Sequence, residues 1–240
     1  MRNLCGNAER NNAVTDNDYV GMDFPDEIAT HECGHVVALA ATGLTEEFRS
    51  ATIVPQNGML GLTIRSGESL TRLSNKLSEF SKKNLADQTE IEAFRNFVLT
   101  TPAVCLPHIC FFLGGGSIDR LLGRENALRN AIDAKCMREM VMPAMLLPNL
   151  RPFPSLSDDD LLYVQSNVDK FLHNVFTKEK TLFNRIYHAI VEHKTLVHTS
   201  IDPNLMKEMK ACGERSAEDY KSLLAAVEKW YAGKVPYFHG

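Results

Sequence analysis

The sequence predicts a mainly α-helical protein with a small β element. Apolar residues recur at three- and four-residue spacing through most of the chain after residue 76, which is typical of helices that bury one face. Only residues 50–65 combine β-branched residues with turn residues in the pattern of paired strands. Hydrophobic residues make up 44% of the 240 residues and charged residues 23%. This is the composition of a globular chain that can bury a substantial core.

The first predicted helix lies between Pro25 and Gly43. Proline suits the first helical position, and Asp26 and Glu27 place negative charge in the first turn. Glycine is the residue most often found just after a helix ends. The segment ATHECGHVVALAAT is therefore expected to form one helix.

Two short strands are predicted after this helix, in the segment SATIVPQNGMLGLTIR. Residues 52–54 are strand formers, residues 55–58 form a turn, and residues 60–64 form the second strand. Pro55 cannot donate a ladder hydrogen bond, so it belongs at a strand end or edge.

The rest of the chain is expected to be helical, with a proline-rich linker at 146–160. A flexible tail is predicted for residues 1–20, a peptidase domain for 21–205 with its metal-site half ending near 145, and a C-terminal helical extension for 206–240. The predicted helical segments are 85–99, 103–113, 117–141, 157–174, 179–197 and 216–231.

Charge and cysteine content exclude several classes of protein. The net charge is −4, the isoelectric point is about 6.1, and the basic residues are scattered, so no nucleic-acid partner is expected. Six cysteines without a C-x-x-C pair favour reduced thiols and a cytoplasmic location. Residues 97–113 are apolar but contain two prolines and His108, which predicts buried core and no membrane span. His108 itself is interpreted as a buried histidine and not as a ligand.

One motif carries chemistry, the H-E-x-x-H sequence from His31 to His35. On a helix, residues four apart share one face, so two imidazoles can bind one zinc ion at about 2.0–2.1 Å. Glu32 then lies where a carboxylate can act as general base on water activated by the metal. Gly34 interrupts the helix at a cost of about 1 kcal/mol relative to alanine. We therefore expect another element to pack closely against it.

Four blocks of the chain together resemble the peptidase domain of the FtsH-type AAA metalloproteases, over residues 25–205. HECGHVVALAATG resembles the family's H-E-x-G-H helix, and SATIVPQNGMLGLT resembles its strand-turn-strand segment. FFLGGGSIDRLLG is similar to its G-G segment, with Asp119 where the family tends to have glutamate. LFNRIYHAIVEHKTLVHTSID is similar to its late helix. The resemblance implies a zincin-like H-E-x-x-H helix in a mostly helical domain.

The resemblance also implies a third zinc ligand, an aspartate on a helix after the G-G segment. Asp133 in NAIDAKC is the best match, although the loop before it is shorter than the family's. Asp119 and Glu125 are the alternatives. Strand residues Ala51, Thr52, Ile53 and Val54 would bind substrate as an added β-strand.

These features predict a zinc-dependent metalloendopeptidase that cleaves peptides or unfolded, flexible protein segments. The chain contains no G-x-x-x-x-G-K-[ST] phosphate loop, so its activity is expected to be independent of ATP. The family's peptidase domains form six-membered rings, and a homo-oligomer is an open prediction here. The alternative is a catalytically silent protein of the same fold that binds peptides or protein partners.

Overall fold

The computed structural model of the chain describes residues 24, 26–56, 59–81, 87–124, 131, 133–135 and 157–234. This part is mainly helical with one small three-stranded sheet, which confirms the predicted mainly α class. The predicted tail of residues 1–20 and most of the predicted linker lie outside the described residues. So does Glu125, one of the alternative ligands.

The elements are numbered in chain order over the described residues. The strands are β1 (Phe48–Thr52), β2 (Leu62–Arg65) and β3 (Thr195–Val197). The helices are α1 (Glu27–Ala41), α2 (Glu68–Ser81), α3 (Gln88–Leu99), α4 (Thr101–Leu121), α5 (Asp158–Lys178), α6 (Lys180–His193) and α7 (Pro203–Ala232).

Helix α1 is the central element of the fold. Asp26 caps it by accepting hydrogen bonds from the backbone N–H groups of Ile28 and Ala29. Every residue from Ala29 to Ala41 is buried, because α4, α5, α6, α7 and the sheet all pack around this helix. A helix enclosed on all sides is apolar on all sides, so the polar residues at positions 31, 32 and 35 are exceptions that need partners.

Helix α4 crosses α1 at direct backbone contact. A Cβ atom at Gly34 would lie 2.5 Å from the carbonyl oxygen of Gly114, and one at Gly114 would lie 2.6 Å from that of Gly34. The close packing expected at Gly34 is thus confirmed. The break predicted between segments 103–113 and 117–141 was wrong, since the helix continues through Gly114–Gly116 to Leu121. Glycines lower helix propensity, but here they allow the two backbones to meet.

The helical run Gln88–Leu121 passes a length and hydropathy test for a membrane-spanning helix. Its most apolar window has a mean hydropathy of 1.7, and 67% of that window is buried inside the fold. The core helix of a soluble protein passes the same test, so the absence of a membrane span stays a prediction.

The sheet has the order β2-β1-β3, and both pairings are antiparallel. Strand β1 is therefore central, and it begins and ends earlier than predicted, leaving Ile53 and Val54 outside it. Strand β3 follows Lys194, which ends α6 in the left-handed conformation with φ of 60°. Residues 195–197, predicted as the end of a helix, instead pair with β1.

Helix α7 belongs to the same core as the rest of the domain. It begins at Pro203 and crosses the predicted boundary at 205/206, and Asp202 caps its first turn. Met209, Cys212 and Val227 are fully buried, and α7 packs on α1, α4 and α5. This helix thus packs on the core that the other helices form, while the predicted domain bounds stay a prediction.

A buried polar cluster, here called the Glu47 cluster, joins the sheet to α2 and α4. It consists of Glu47, Arg65, Ser69 and His108. Ser69 Oγ donates to Glu47 Oε1 at 2.6 Å and lies 2.7 Å from Nε2 of His108, while Arg65 Nη1 lies 3.5 Å from Glu47 Oε2. His108 is fully buried, which confirms the burial predicted for it.

We expect His108 to make the fold less stable at mildly acidic pH. Burial and the nearby Arg65 charge lower the pKa of His108 from 6.5 to about 4, although Glu47 opposes the shift. Between these two values the unfolded chain binds a proton that the folded chain does not. The free energy of unfolding therefore falls as pH falls through this window, by at most about 1.4 kcal/mol per pH unit.

The measurement is urea unfolding of the wild type and His108→Gln at pH 7 and pH 5. Glutamine can keep the hydrogen bond to Ser69 but does not titrate. The wild type should lose about 1–2 kcal/mol more than the variant between the two pH values. An identical pH dependence in both proteins would show that His108 does not contribute.

Candidate metal centre

The two histidines of the H-E-x-x-H motif face each other in the buried interior. Their Nε2 atoms lie 3.3 Å apart, and the rings meet edge to face at 83°. Both residues are more than 95% buried. The spacing of four residues on α1 places both side chains on the face that meets α4.

Helix α4 supplies the partners that orient both imidazoles. His31 Nδ1 lies 2.8 Å from the Asp119 carboxylate, and His35 Nδ1 lies 2.7 Å from the backbone carbonyl oxygen of Phe111. Both partners are acceptors, so each Nδ1 carries a proton that it donates. In the neutral rings both Nε2 atoms then present lone pairs to the same point. This is the arrangement of a histidine pair that binds a metal through Nε2.

Asp133 completes the group. Its Oδ2 lies 3.0 Å from Nε2 of His31 and 3.6 Å from Nε2 of His35. This oxygen is buried and has no hydrogen-bond partner among the described residues. These three residues form a group that can bind a metal ion, with all ligand atoms within 4.8 Å of one another.

The spacing of the three ligand atoms fits a tetrahedral ion. Ligands about 2.0–2.1 Å from a tetrahedral zinc lie about 3.3–3.4 Å from each other. The three observed separations are 3.3, 3.0 and 3.6 Å. The unpartnered Asp133 oxygen and two converging imidazole lone pairs are a donor set that a small divalent cation would satisfy.

The electrostatics of the group favour a positive charge between the three side chains. Burial lowers the pKa of His31, but the interactions with the Asp119 and Asp133 carboxylates outweigh it and raise the pKa to about 9. A positive charge at this point is therefore stabilised by two carboxylates, one on each side of the His31 ring.

Glu32 lies beside the histidines with its carboxylate fixed by β2. Thr63 Oγ1 donates to Glu32 Oε2 at 2.6 Å, and Gly61 approaches so closely that a Cβ atom there would lie 2.5 Å from Oε1. Burial raises the pKa of Glu32, opposed by the charges of His35 and His31 and by the Thr63 hydrogen bond. A carboxylate with a raised pKa accepts a proton more readily, which suits a general base.

Gly115 of α4 leaves the space in which an ion would lie. A Cβ atom at this position would be 2.5 Å from Nε2 of His31 and 2.6 Å from Nε2 of His35. Any side chain larger than hydrogen would therefore enter the point where the ligand atoms converge.

The structure brings together most, but not all, of the predicted site residues. His31, Glu32, His35 and Asp133 converge as expected. Asp119 lies at the site, but on the Nδ1 side of His31, away from the point where the two Nε2 atoms converge. Asp133 lies at that point, next to both Nε2 atoms.

Of Ala51, Thr52, Ile53 and Val54, the four residues predicted to bind substrate as an added strand, the first two have no free strand edge. An added β-strand needs an unpaired strand edge, whereas β1 lies between β2 and β3. Ala51 is paired with Thr63 on one side and Leu196 on the other. Beyond the strand, the N–H of Ile53 donates to the carbonyl of Lys194. Within the described part of the chain, the unpaired strand edge next to the site belongs to β2.

Three residues that contact the histidines or Glu32 were not predicted from the sequence: Thr63, Phe111 through its carbonyl group, and Gly115. Thr63 had a signal, because it lies in the second predicted strand close to the motif in the chain. Gly115 had a partial signal in the run of three glycines, which indicates close backbone packing. The Phe111 carbonyl had none, since every residue carries a carbonyl group.

Neither a protein-family model nor a curated protein matches the chain.

Proposed function

We propose that the chain is a zinc-dependent metallopeptidase that hydrolyses peptide bonds in peptides or flexible protein segments without needing ATP itself. The observation that carries the proposal is the convergence of His31, His35 and Asp133 beside the carboxylate of Glu32. Two histidines, one carboxylate and an adjacent general base form the ligand and base set of the H-E-x-x-H metallopeptidases. The resemblance to the FtsH-type peptidase domain supports the same assignment.

In this proposal zinc is bound by His31, His35 and Asp133 and supplies Lewis-acid chemistry, which polarises a carbonyl and acidifies water. Glu32 accepts the proton of the attacking water on its carboxylate and returns it to the leaving amine nitrogen. Thr63 keeps that carboxylate in place through its hydrogen bond. Asp119 and the Phe111 carbonyl hold the two rings in the tautomer that directs Nε2 inward.

The substrate is proposed to lie along β2, not along β1. Strand β2 is the edge of the described sheet, and its Thr63 contacts Glu32 directly. An extended chain that pairs with an edge strand is bound mainly through backbone hydrogen bonds. This mode selects flexible segments, because a folded substrate does not present an unpaired extended backbone.

The test is degradation of unstructured casein by protein purified without chelator and analysed for metal content. We expect one zinc per chain, hydrolysis that stops when 1,10-phenanthroline removes the metal, and recovery when zinc is added back. Rates that are equal with and without chelator would refute the proposal. The cytoplasmic location and the homo-oligomer stay predictions that this test does not address.

A second candidate is a catalytically silent protein that binds zinc and peptides. The short segment LLGRENALRN between the G-G segment and Asp133, together with the missing phosphate loop, favours it. Stoichiometric zinc and peptide binding without any hydrolysis would establish this alternative.

A further inference from the structure

A cleft of about 480 Å³ lies along β2, next to residues that contact the metal centre. Its walls are residues 63–67, one face of α2, and Phe111 and Phe112 of α4. Two of these residues also belong to the site: Thr63 contacts Glu32, and the Phe111 carbonyl contacts His35. A chain bound along β2 at the metal centre would therefore pass through this cleft.

Arg65 is the cationic residue of the described cleft wall. Its side chain is only 6% exposed, and its guanidinium lies over the rings of Phe111 and Phe112, at 5.2 and 5.3 Å from their centroids. Its Nε atom is buried without a hydrogen-bond partner among the described residues. A guanidinium has five N–H donors, and a buried one is costly unless they are used.

Glu47 does not satisfy this guanidinium. Its contact with Arg65 is long, at 3.5 Å and to a single nitrogen. The same carboxylate accepts shorter hydrogen bonds from Ser69 Oγ at 2.6 Å and from the backbone N–H of Gly67 at 3.1 Å. Arg65 therefore retains donors for a second acceptor in the cleft.

Arg65 and Thr63 lie two residues apart on one strand, so their side chains point to the same face. Ile64 between them points outward and is 43% exposed. The separation along the strand is roughly 7 Å, which is two residues of an extended substrate. A substrate group bound at Arg65 would thus belong to a substrate residue two positions along the chain from the substrate residue that faces Glu32.

We propose that this cleft is a subsite for a substrate carboxylate, with Arg65 as the specificity-determining residue. The proposal rests on the proposed peptidase function, which places a peptide along β2. An anionic oxygen pair matches the spare donors of a guanidinium, and the flanking phenyl rings keep the contact away from water. The carboxylate can come from a glutamate or aspartate side chain or from a chain terminus.

The test measures binding separately from hydrolysis, using the zinc-loaded Glu32→Gln variant. Two fluorescein-labelled dodecapeptides of alanine, serine and valine, amidated at the C-terminus, differ only in one central glutamate or glutamine. A second pair lacks acidic side chains and ends in a free carboxylate or an amide. We expect the carboxylate member of at least one pair to bind about tenfold more tightly, as charge-assisted hydrogen bonds indicate. The pair that discriminates identifies the source.

Two further variants in the same background assign the preference to Arg65. Arg65→Gln should remove the preference for the carboxylate, and Arg72→Gln, which removes an exposed arginine of α2, should keep it. If the two members of each peptide pair bind with equal affinity, or if no peptide binds, the inference is overturned and the Arg65 variant is not needed. A preference that survives Arg65→Gln in folded protein would also overturn it.

The outcome also separates this inference from the proposed function. If the wild type hydrolyses neither these peptides nor casein but the pairs are still discriminated through Arg65, the peptidase proposal fails and the subsite stands. If peptides are hydrolysed but the pairs bind equally, the subsite fails and the peptidase proposal stands.

Discussion

Replacing Glu32 by glutamine is expected to lower the rate of peptide hydrolysis by about 10²–10⁴-fold while zinc remains bound. The amide has the same shape and can still accept the hydrogen bond from Thr63 that the carboxylate accepts now. It cannot accept a proton from water, so the general base is lost. Glu32 is not among the three ligand residues, and the metal content should therefore stay at one per chain.

The measurement combines initial rates on unstructured casein with elemental analysis of the same sample. Glu68→Gln is the matched control, because it makes the same chemical change at an exposed position of α2. Hydrolysis by Glu32→Gln within threefold of the wild-type rate, with zinc bound, would exclude Glu32 as the base. Loss of zinc would instead assign Glu32 a structural part in the metal centre.

Replacing Gly115 by alanine is expected to abolish metal binding and leave the fold intact. The new methyl group would lie within 2.6 Å of both ligand nitrogens and so occupy the position of the ion. Alanine is at the same time the better helix former, by about 1 kcal/mol in a helix interior. Zinc stoichiometry should fall from one to below about 0.1 per chain. The metal-free thermal midpoint should fall less than in Gly34→Ala, because the methyl group at Gly115 meets the ends of two side chains and not a backbone.

Gly34→Ala provides the contrast for this prediction. Its methyl group would meet the Gly114 backbone at 2.5 Å and also Ile118, which forces α1 and α4 apart. That variant should lose stability and metal together. Calorimetry and zinc analysis of both variants test the difference. Full zinc binding by folded Gly115→Ala would place the ion somewhere other than between His31 and His35.

Residues whose geometry is set within one helix could be predicted from the sequence. The spacing of His31 and His35 on a predicted helix was enough to place both rings on one face. The mid-helix Gly34 was enough to expect a close neighbour. Both conclusions depend only on the regular geometry and packing of an α-helix, which every α-helix shares.

Contacts between distant segments were not accessible to this reasoning. Asp133 was inferred only through the resemblance, because no periodicity links it to α1. The central position of β1 depends on β3, a strand of three residues that is too short to show an alternating pattern. The error over Ala51 and Thr52 follows directly, since the edge of a sheet is defined by strands elsewhere in the chain.

The Glu47 cluster shows a similar limit. His108 could be expected to be buried from its apolar neighbours. Its link to Arg65 through Ser69 and Glu47 joins three elements whose relative positions only the folded chain defines. The unpartnered donor of Arg65, on which the subsite depends, is a consequence of that arrangement and leaves no pattern in the sequence.

Both imidazoles are oriented by the same helix, through Asp119 and the Phe111 carbonyl, about two turns apart on α4. An ion bound by His31 and His35 would thereby reinforce the contact between α1 and α4. By mass action, a ligand present at 100 times its dissociation constant adds about 2.7 kcal/mol to the free energy of unfolding. Under the proposed function, scarcity of the metal would thus lower the stability of the fold as well as the rate of hydrolysis.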